Sequence, residues 1–467
     1  MTVIYSARWV LPIASPLIEN GAVAIEGTKI LAVGRHAEVT SRFPNAQLSE
    51  FGTAAILPGF VNAHSHLELT VMRGFLESEE QDFFSWLRKL TIARMAMTAD
   101  DLFVSATCGA IEAARAGITS VGDSSSAAAQ SMKALREIGL RGIVYQESFG
   151  PDPNLAEQNV AKLREQLQEL RSLETTMVRA GVSPHAPYTV SAPQLKLIAQ
   201  LAIDEQLPLM MHAAESEAEK ALMLDDSGVF AEGLQHRGIE WHAPGISTIQ
   251  YLRQTGVLET KPLLTHCVTV DDDDIQIIKL AGASIAHCPK SNAKLGHGRA
   301  PFAKFVAAGV NIGIGSDSVA SNNNCDILEE AGFATLLARA TSGERDRCTT
   351  TRDARATAPI TAEQALFVAT LGGARALGLD NQVGTLAEGM EADLIVVGLN
   401  GAHQQPLTNP TDALIFSSSG RDVRLTVVAG KEIYRDGRLT NMDEGEQQTR
   451  LRIVRARLDA LDINNGH

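Results

Sequence analysis

The chain has 467 residues, 45% of them hydrophobic and 21% charged, enough for a large core and long for one compact domain, so one large domain with a smaller companion is expected. A formal net charge of -14 argues against a general nucleic-acid or anionic-membrane surface and favours a small-molecule partner. Cys108, Cys267, Cys288, Cys325 and Cys348 are odd in number and lack C-x-x-C spacing, and neither a basic leader nor an apolar run of about 18 residues occurs; a reduced, soluble, cytoplasmic protein without disulfide framework or zinc knuckle is expected.

In chain order, "VIYSARWVL", "GAVAIEGTKILAVG" and "AAILPG" read as short strands broken by turn signals. The middle alternates. Apolar segments recur at "ILPGFVNAHSH", "ITSVGDSS", "RGIVYQESF", "VRAGVSPHAP", "LPLMMHAAES", "PLLTHCV", "ASIAHCP" and "VNIGIGSD", separated by helical stretches such as "ADDLFVSATCGAIEAARAG" and "SAPQLKLIAQLAIDEQ". Eight strand candidates close a (β/α)8 barrel, and no glycine-rich phosphate loop follows the first, as a doubly wound sheet would show. The acidic run at 271 to 274 reads as a helix start, where carboxylates favour the N-terminal dipole. Near the end, "GTLAEGMEADLIVVGL" and "DVRLTVVAGKEIYRDGRLT" are β-branched and glycine-punctuated, and residues 446 to 462 carry helical spacing. These readings predict an α/β protein: a distorted barrel over 58–379, and a small β-sandwich domain built from 1–57 and 380–467 that includes a closing helix.

Active sites of such barrels lie at the C-terminal ends of the strands, and the polar residues fall there. His64 and His66 close the first segment, His185 the fourth, His212 the fifth, His266 the sixth, His287 the seventh and Asp317 the eighth. Residues i and i+2 of a strand share a face, so His64 and His66 can serve one ion. Neutral imidazoles and a carboxylate suit zinc or ferrous iron, and His64, His66, His212 and Asp317 form the most economical ligand set, with His266 beside it. One metal is favoured, because the fourth segment offers His185 in "SPHAPY" instead of a bridging lysine or glutamate. Glu215, three residues after His212, can do the acid/base work of a hydrolytic deamination.

Together "PGFVNAHSH", "SPHAPYTVS", "HAAES", "LLTHCV", "HCPKSNAKLGHGRAP" and "GIGSDSVASNN" resemble the amidohydrolase superfamily, specifically its mononuclear aminohydrolases acting on purines, nucleosides and related heterocycles. The resemblance implies a barrel with a flanking β-sandwich, one zinc or iron, and release of ammonia. It implies ligand roles for His64, His66, His212 and Asp317, orientation of the water by His266, proton shuttling by Glu215, proton acceptance by Asp317 and substrate contact by His185. Barrels of this family often pair, which leaves a homodimer open. Hydrolysis of another heterocycle at the same metal is the alternative: deamination of another purine or a pterin, C–Cl or C–N hydrolysis of a triazine, or opening of a cyclic amide.

Specificity is expected in the loop "LELTVMRGFLESEEQDFFSWLRKLTIAR". Trp86 resembles the aromatic that covers the base in S-adenosylhomocysteine deaminases, but Arg94 stands where those enzymes carry a ribose-binding glutamate, and Glu68 where a small or apolar residue is usual. "HSHLELT", "FFSWLRKLTIAR" and "SDSVASN" look closer to the aminodeoxyfutalosine deaminases of the alternative menaquinone pathway, whose substrate is an adenine nucleoside bearing a benzoate. Arg94 or Arg73 could pair with that carboxylate in a planar, bidentate contact.

Overall fold

The structure, a computed structural model, describes residues 1–80, 82–342 and 358–461; Cys348 and the last six residues of the expected small domain lie outside them. Eight strands alternate with helices: β1 Phe60–Ser65, β2 Ile118–Ser125, β3 Arg141–Ser148, β4 Val178–Pro184, β5 Met210–Ala213, β6 Leu263–His266, β7 Ser284–His287 and β8 Asn311–Ile314. They are the eight segments expected from the sequence. β1 to β4 and β5 to β8 form two parallel ladders. Single parallel bridges, Val182 to Leu209 and Ser65 to Asp317, join these ladders along both seams and close a distorted barrel. β1, β2 and β3 are buried at every position, which is why they read as continuous runs of apolar and small residues rather than as alternating strands.

Of the helices on the outside, α1 (Phe83–Met95) follows the first strand's long loop and α2 (Ala99–Arg115) returns to β2. A reciprocal capping box starts α2, with Thr98 and Asp101 each accepting the other's backbone N–H. The acidic run does the same for the helix Asp272–Ala281, where Asp271 is the cap and Asp274 its partner.

Both chain ends contribute to a nine-stranded sheet beside the barrel, built from Val3–Val10, Ile18–Glu26, Lys29–Arg35, Gln47–Glu50, Ala54–Pro58, Leu394–Gly398, Val423–Val428, Lys431–Arg435 and Arg438–Leu439. Its two-residue period divides two cores. Ala54, Ile56, Leu394, Val396, Leu425 and Val427 pack inside the sheet, whereas Ala55, Leu57, Ile395 and Val397 face the barrel core. The sheet curls until two hairpin turns meet: a Cβ on Gly430, at φ +73°, would lie 1.8 Å from the Gly27 carbonyl oxygen, so glycine is required there. Arg141 of β3 ties barrel to sheet through a buried pair with Asp393, Nε to Oδ2 at 3.0 Å and Nη2 to Oδ1 at 3.1 Å.

The closing helix expected with the small domain is α3 (Glu444–Asp459). It lies on α2 and the turn Leu67–Met72, because Val454 and Leu458 join Leu69 and Val71 in one apolar cluster and Arg450 pairs with Asp100 at 3.1 Å. We propose that the small domain is the sheet alone, with α3 belonging to the barrel.

Candidate active site

β1, β5 and β8 deliver the expected ligands to one point. Ring nitrogens of His64, His66 and His212 all lie within 4.8 Å of one another. Asp317 Oδ1 stands 3.3 Å from His64 Nε2 and 3.5 Å from His66 Nε2, and His66 Nε2 faces His212 Nε2 at 3.3 Å. The backbone is bent to achieve this. Asp317 takes φ +59° and His266 φ +74°, left-handed conformations that cost non-glycine residues energy and concentrate at functional sites. In "GIGSD", a Cβ on Gly315 would come within 2.9 Å of the His64 Cβ, so only glycine lets β8 approach β1 this closely.

Outer partners orient each ring. His212 Nδ1–H donates to the His185 carbonyl at 2.9 Å, His66 Nδ1 lies 3.7 Å from Glu147 Oε1, and His64 Nδ1 lies 3.1 Å from Met210 Sδ and 3.5 Å from Thr265 Oγ1. Asp123 accepts the Ser65 hydroxyl at 2.8 Å and the Leu67 N–H at 2.7 Å, which pins the chain on either side of His66. Ser291 and Ser321 hydroxyls donate to Asp317 Oδ2 at 2.5 and 3.0 Å, leaving Oδ1 toward the histidines.

Burial keeps the imidazoles neutral: His64, His212 and His266 titrate below the usual histidine range, and His66 and His185 at about 3. Burial also pushes Asp317 up, but the His64 ring against it, with His266 and His66, outweighs that and holds its carboxyl well below the ordinary range. Three neutral ring nitrogens and one carboxylate therefore converge. His64 Nε2 is buried and has no hydrogen-bond partner, and two lone pairs facing each other at 3.3 Å repel unless a cation lies between them. The donor set fits a single borderline divalent ion.

Beside this centre, Glu215 follows β5. Its Oε1 is 3.4 Å from His266 Nε2 and 3.6 Å from His297 Nε2, and Tyr188 donates to its Oε2 at 3.1 Å. Burial raises the Glu215 carboxyl, the direction that suits a proton donor near neutral pH. His266 donates from Nδ1 to the Asn292 side-chain oxygen at 2.9 Å, which turns Nε2 toward Glu215.

A cavity of about 1360 Å³ opens from these groups, and Trp86, Arg94, His185 and Glu68 all line it. Aromatic rings form much of one wall: Tyr188 stacks on Phe230 at 4.1 Å, Phe83 meets the His297 ring edge-on at 4.4 Å, and Trp86 stacks on Phe83 at 6.0 Å. Trp86 presents a buried Nε1–H with no protein partner. Glu68 is fully engaged within the chain, accepting from the backbone N–H groups of Ser126 and Ala127 and from the hydroxyls of Ser125 and Ser126.

Arg73 is not brought to this cavity: following the helical turn Leu67–Met72, it lines a separate groove and pairs with Glu112. His287 likewise packs against Phe302 at 5.2 Å, outside the cavity lining. Sequence reading missed His297 and Tyr188, which sit inside the quoted segments "HGRAP" and "SPHAPY". It also missed Glu147, whose place at the end of β3 is the strand-end signal used for the histidines. Burial, with the Glu68 charge nearby, pushes the Glu147 carboxyl up to about 8.

Among the described residues no helix is long and apolar enough to cross a membrane. Residues 55–433 match the amidohydrolase family, and residues 21–46 match a bacterial imidazolonepropionase-like composite domain. A 5-methylthioadenosine/S-adenosylhomocysteine deaminase of Syntrophobacter fumaroxidans is 32% identical over 441 residues, covering 93% of each chain. A protein of the same name from Nitratidesulfovibrio vulgaris is 32% identical over 446 residues, covering 94% of this chain and 93% of its own. Among solved structures, a zinc-bound adenosine deaminase from Xanthomonas campestris superposes with a TM-score of 0.84 at 27% identity, covering 98% of this chain and 99% of its own. The zinc complex of atrazine chlorohydrolase from Arthrobacter aurescens shares the fold, with a TM-score of 0.82 at 22% identity over 97% of this chain and 100% of its own. With the match spanning most of its length and the same barrel, the chain belongs to the amidohydrolase family and is a hydrolytic enzyme.

Proposed function

We propose that this enzyme hydrolytically deaminates a 6-aminopurine nucleoside and releases ammonia. The observation that carries the reading is Glu215, held by Tyr188 between His266 and His297, at the edge of a converging His64, His66, His212 and Asp317 in an aromatic-walled cavity. The names of the relatives, 5-methylthioadenosine/S-adenosylhomocysteine deaminase and adenosine deaminase, support it.

His64, His66, His212 and Asp317 would hold the metal, zinc or ferrous iron, whose chemistry is to acidify a water at neutral pH. The Asp317 carboxylate, oriented by the Ser291 and Ser321 hydroxyls, receives the proton of the attacking water. Glu215 delivers a proton to the ring nitrogen adjacent to the amine-bearing carbon, so negative charge does not build up as oxygen adds there. His266 Nε2 accepts from the new hydroxyl while Asp317 passes its proton to the departing amine and the hydroxyl proton returns to Glu215, so the carbonyl forms, ammonia leaves and both carboxyl groups are restored. The aromatic wall of Trp86, Phe83 and Phe230 clasps the purine and excludes bulk water.

For the remainder of the substrate we propose 6-amino-6-deoxyfutalosine, ahead of adenosine, methylthioadenosine and S-adenosylhomocysteine. What supports this choice is Arg94, which lines the cavity 5.7 Å from the Phe149 ring, a cation over an aromatic face where a benzoate could be received. We place the enzyme in the cytoplasm. Product analysis tests the reaction class: ammonia from a nucleoside supports deamination, and chloride from a chlorotriazine or a ring-opened acid from a cyclic amide would replace it.

A further inference from the structure

Resting on the deaminase reading, we propose that Glu147 receives a pair of vicinal hydroxyls of the substrate, forming a sugar-diol subsite on the β3 side of the centre. Its side chain is 5% exposed and lines the catalytic cavity. Its protein contacts are few. The Ser124 hydroxyl donates to Oε1 at 3.3 Å, His66 Nδ1 lies 3.7 Å from Oε1, and Arg94 Nη1 lies 3.9 Å from Oε2. Among the described residues no donor reaches Oε2 within hydrogen-bond distance, although a buried carboxylate ordinarily accepts several. Glu68, also buried, accepts four, so the deficit belongs to Glu147 in particular.

The position selects the occupant. Arg94 compensates the charge of Glu147 without occupying its oxygens, since its short hydrogen bond goes to Ser126. A cation is disfavoured. A ring nitrogen of His185 and one of His212 lie within 4.8 Å of a Glu147 oxygen, but His212 gives Nε2 to the main centre and Nδ1–H to the His185 carbonyl. That leaves two protein ligands, too few for a tight site. Uncharged donors remain, and two neighbouring hydroxyls match two carboxylate oxygens. Glu147 lies on the Nδ1 edge of the His66 imidazole, opposite the Nε2 that faces the centre, which sets it to one side of the reacting carbon.

The test compares adenosine with 2′,3′-dideoxyadenosine, using the metal-loaded enzyme and its Glu147→Gln and Glu147→Ala variants, with bound metal counted in each. Two donated hydroxyls favour the charged form of a carboxyl that burial alone pushes up to about 8, so their loss predicts a fall of about ten- to a hundredfold in kcat/KM on adenosine, carried mainly by KM. The fall on the dideoxy compound should be at least ten times smaller, with one metal per chain in every variant. An equal fall on both compounds overturns the proposal, as does a second metal equivalent in the parent that the variants lose. If the parent releases ammonia from neither nucleoside, nor from methylthioadenosine, S-adenosylhomocysteine or 6-amino-6-deoxyfutalosine, the deaminase reading itself fails and the diol subsite falls with it.

Discussion

Asp317 and His64 are joined twice: the Asp317 backbone N–H donates to the His64 carbonyl at 2.9 Å, and Asp317 Oδ1 faces His64 Nε2 at 3.3 Å. The first contact seals the seam between β8 and β1. The second places two donors of one centre side by side, so barrel closure and site assembly are one event.

Metal removal should therefore loosen the fold as well as stop turnover. A cation shared by β1, β5 and β8 would bind the native state in preference to the unfolded chain, and its loss would cost stability in proportion to the logarithm of its concentration over Kd. Chelator-treated protein should melt several degrees lower than protein reloaded with zinc, and His64→Ala should melt low with or without added metal. Equal melting of all three would show that no cation links these strands.

Glu215→Gln should keep one metal per chain and an unchanged melting temperature, while turnover falls by about a hundred- to ten-thousandfold. The amide preserves shape but cannot deliver the proton. Metal content and steady-state ammonia release on the same preparation decide this, and a variant with parental turnover would remove Glu215 from the mechanism.

Arg141 and Asp393 have side chains only 3% and 1% exposed, so removing one partner leaves the other charged and buried. Arg141→Ala should cost about 3–5 kcal/mol in chemical denaturation. A loss below about 1 kcal/mol would mean that barrel and sheet are held together by their apolar contact alone.

Burial pushes the Glu330 carboxyl up to about 8, from an ordinary value of 4.5. Between those values the native protein binds one more proton than the unfolded chain at this site. The stabilising contribution is thus full below about pH 4.5 and is lost as pH rises through 8, with a slope of about 1.4 kcal/mol per pH unit between them. Glu330→Gln, a mimic of the protonated form, should remove that share of the slope when stability is measured from pH 5 to 8. An unchanged slope would place the Glu330 carboxyl in its ordinary range.

Much of this molecule was legible in the sequence, because barrel strands announce themselves as buried apolar runs and strand ends point into the site. His64, His66, His212, His266 and Asp317 could be placed by that rule. Glu147 obeys the same rule, yet a glutamate near a strand end does not signal burial until its neighbours are known. Arg73 lines a different groove from Arg94, and that direction depends on a short helical turn whose register no periodicity reveals. The docking of α3 on α2 joins positions some 350 residues apart, such as Arg450 and Asp100, and neither composition nor spacing encodes that pairing.

The most direct measurement is ammonia release by the purified, metal-loaded protein from 6-amino-6-deoxyfutalosine, adenosine, methylthioadenosine and S-adenosylhomocysteine in parallel. Stoichiometric ammonia with the matching 6-oxopurine product, and the highest kcat/KM on the benzoate-bearing nucleoside, is the predicted result. Preference for one of the others would move the substrate while keeping the chemistry. No ammonia from any of the four would contradict the account.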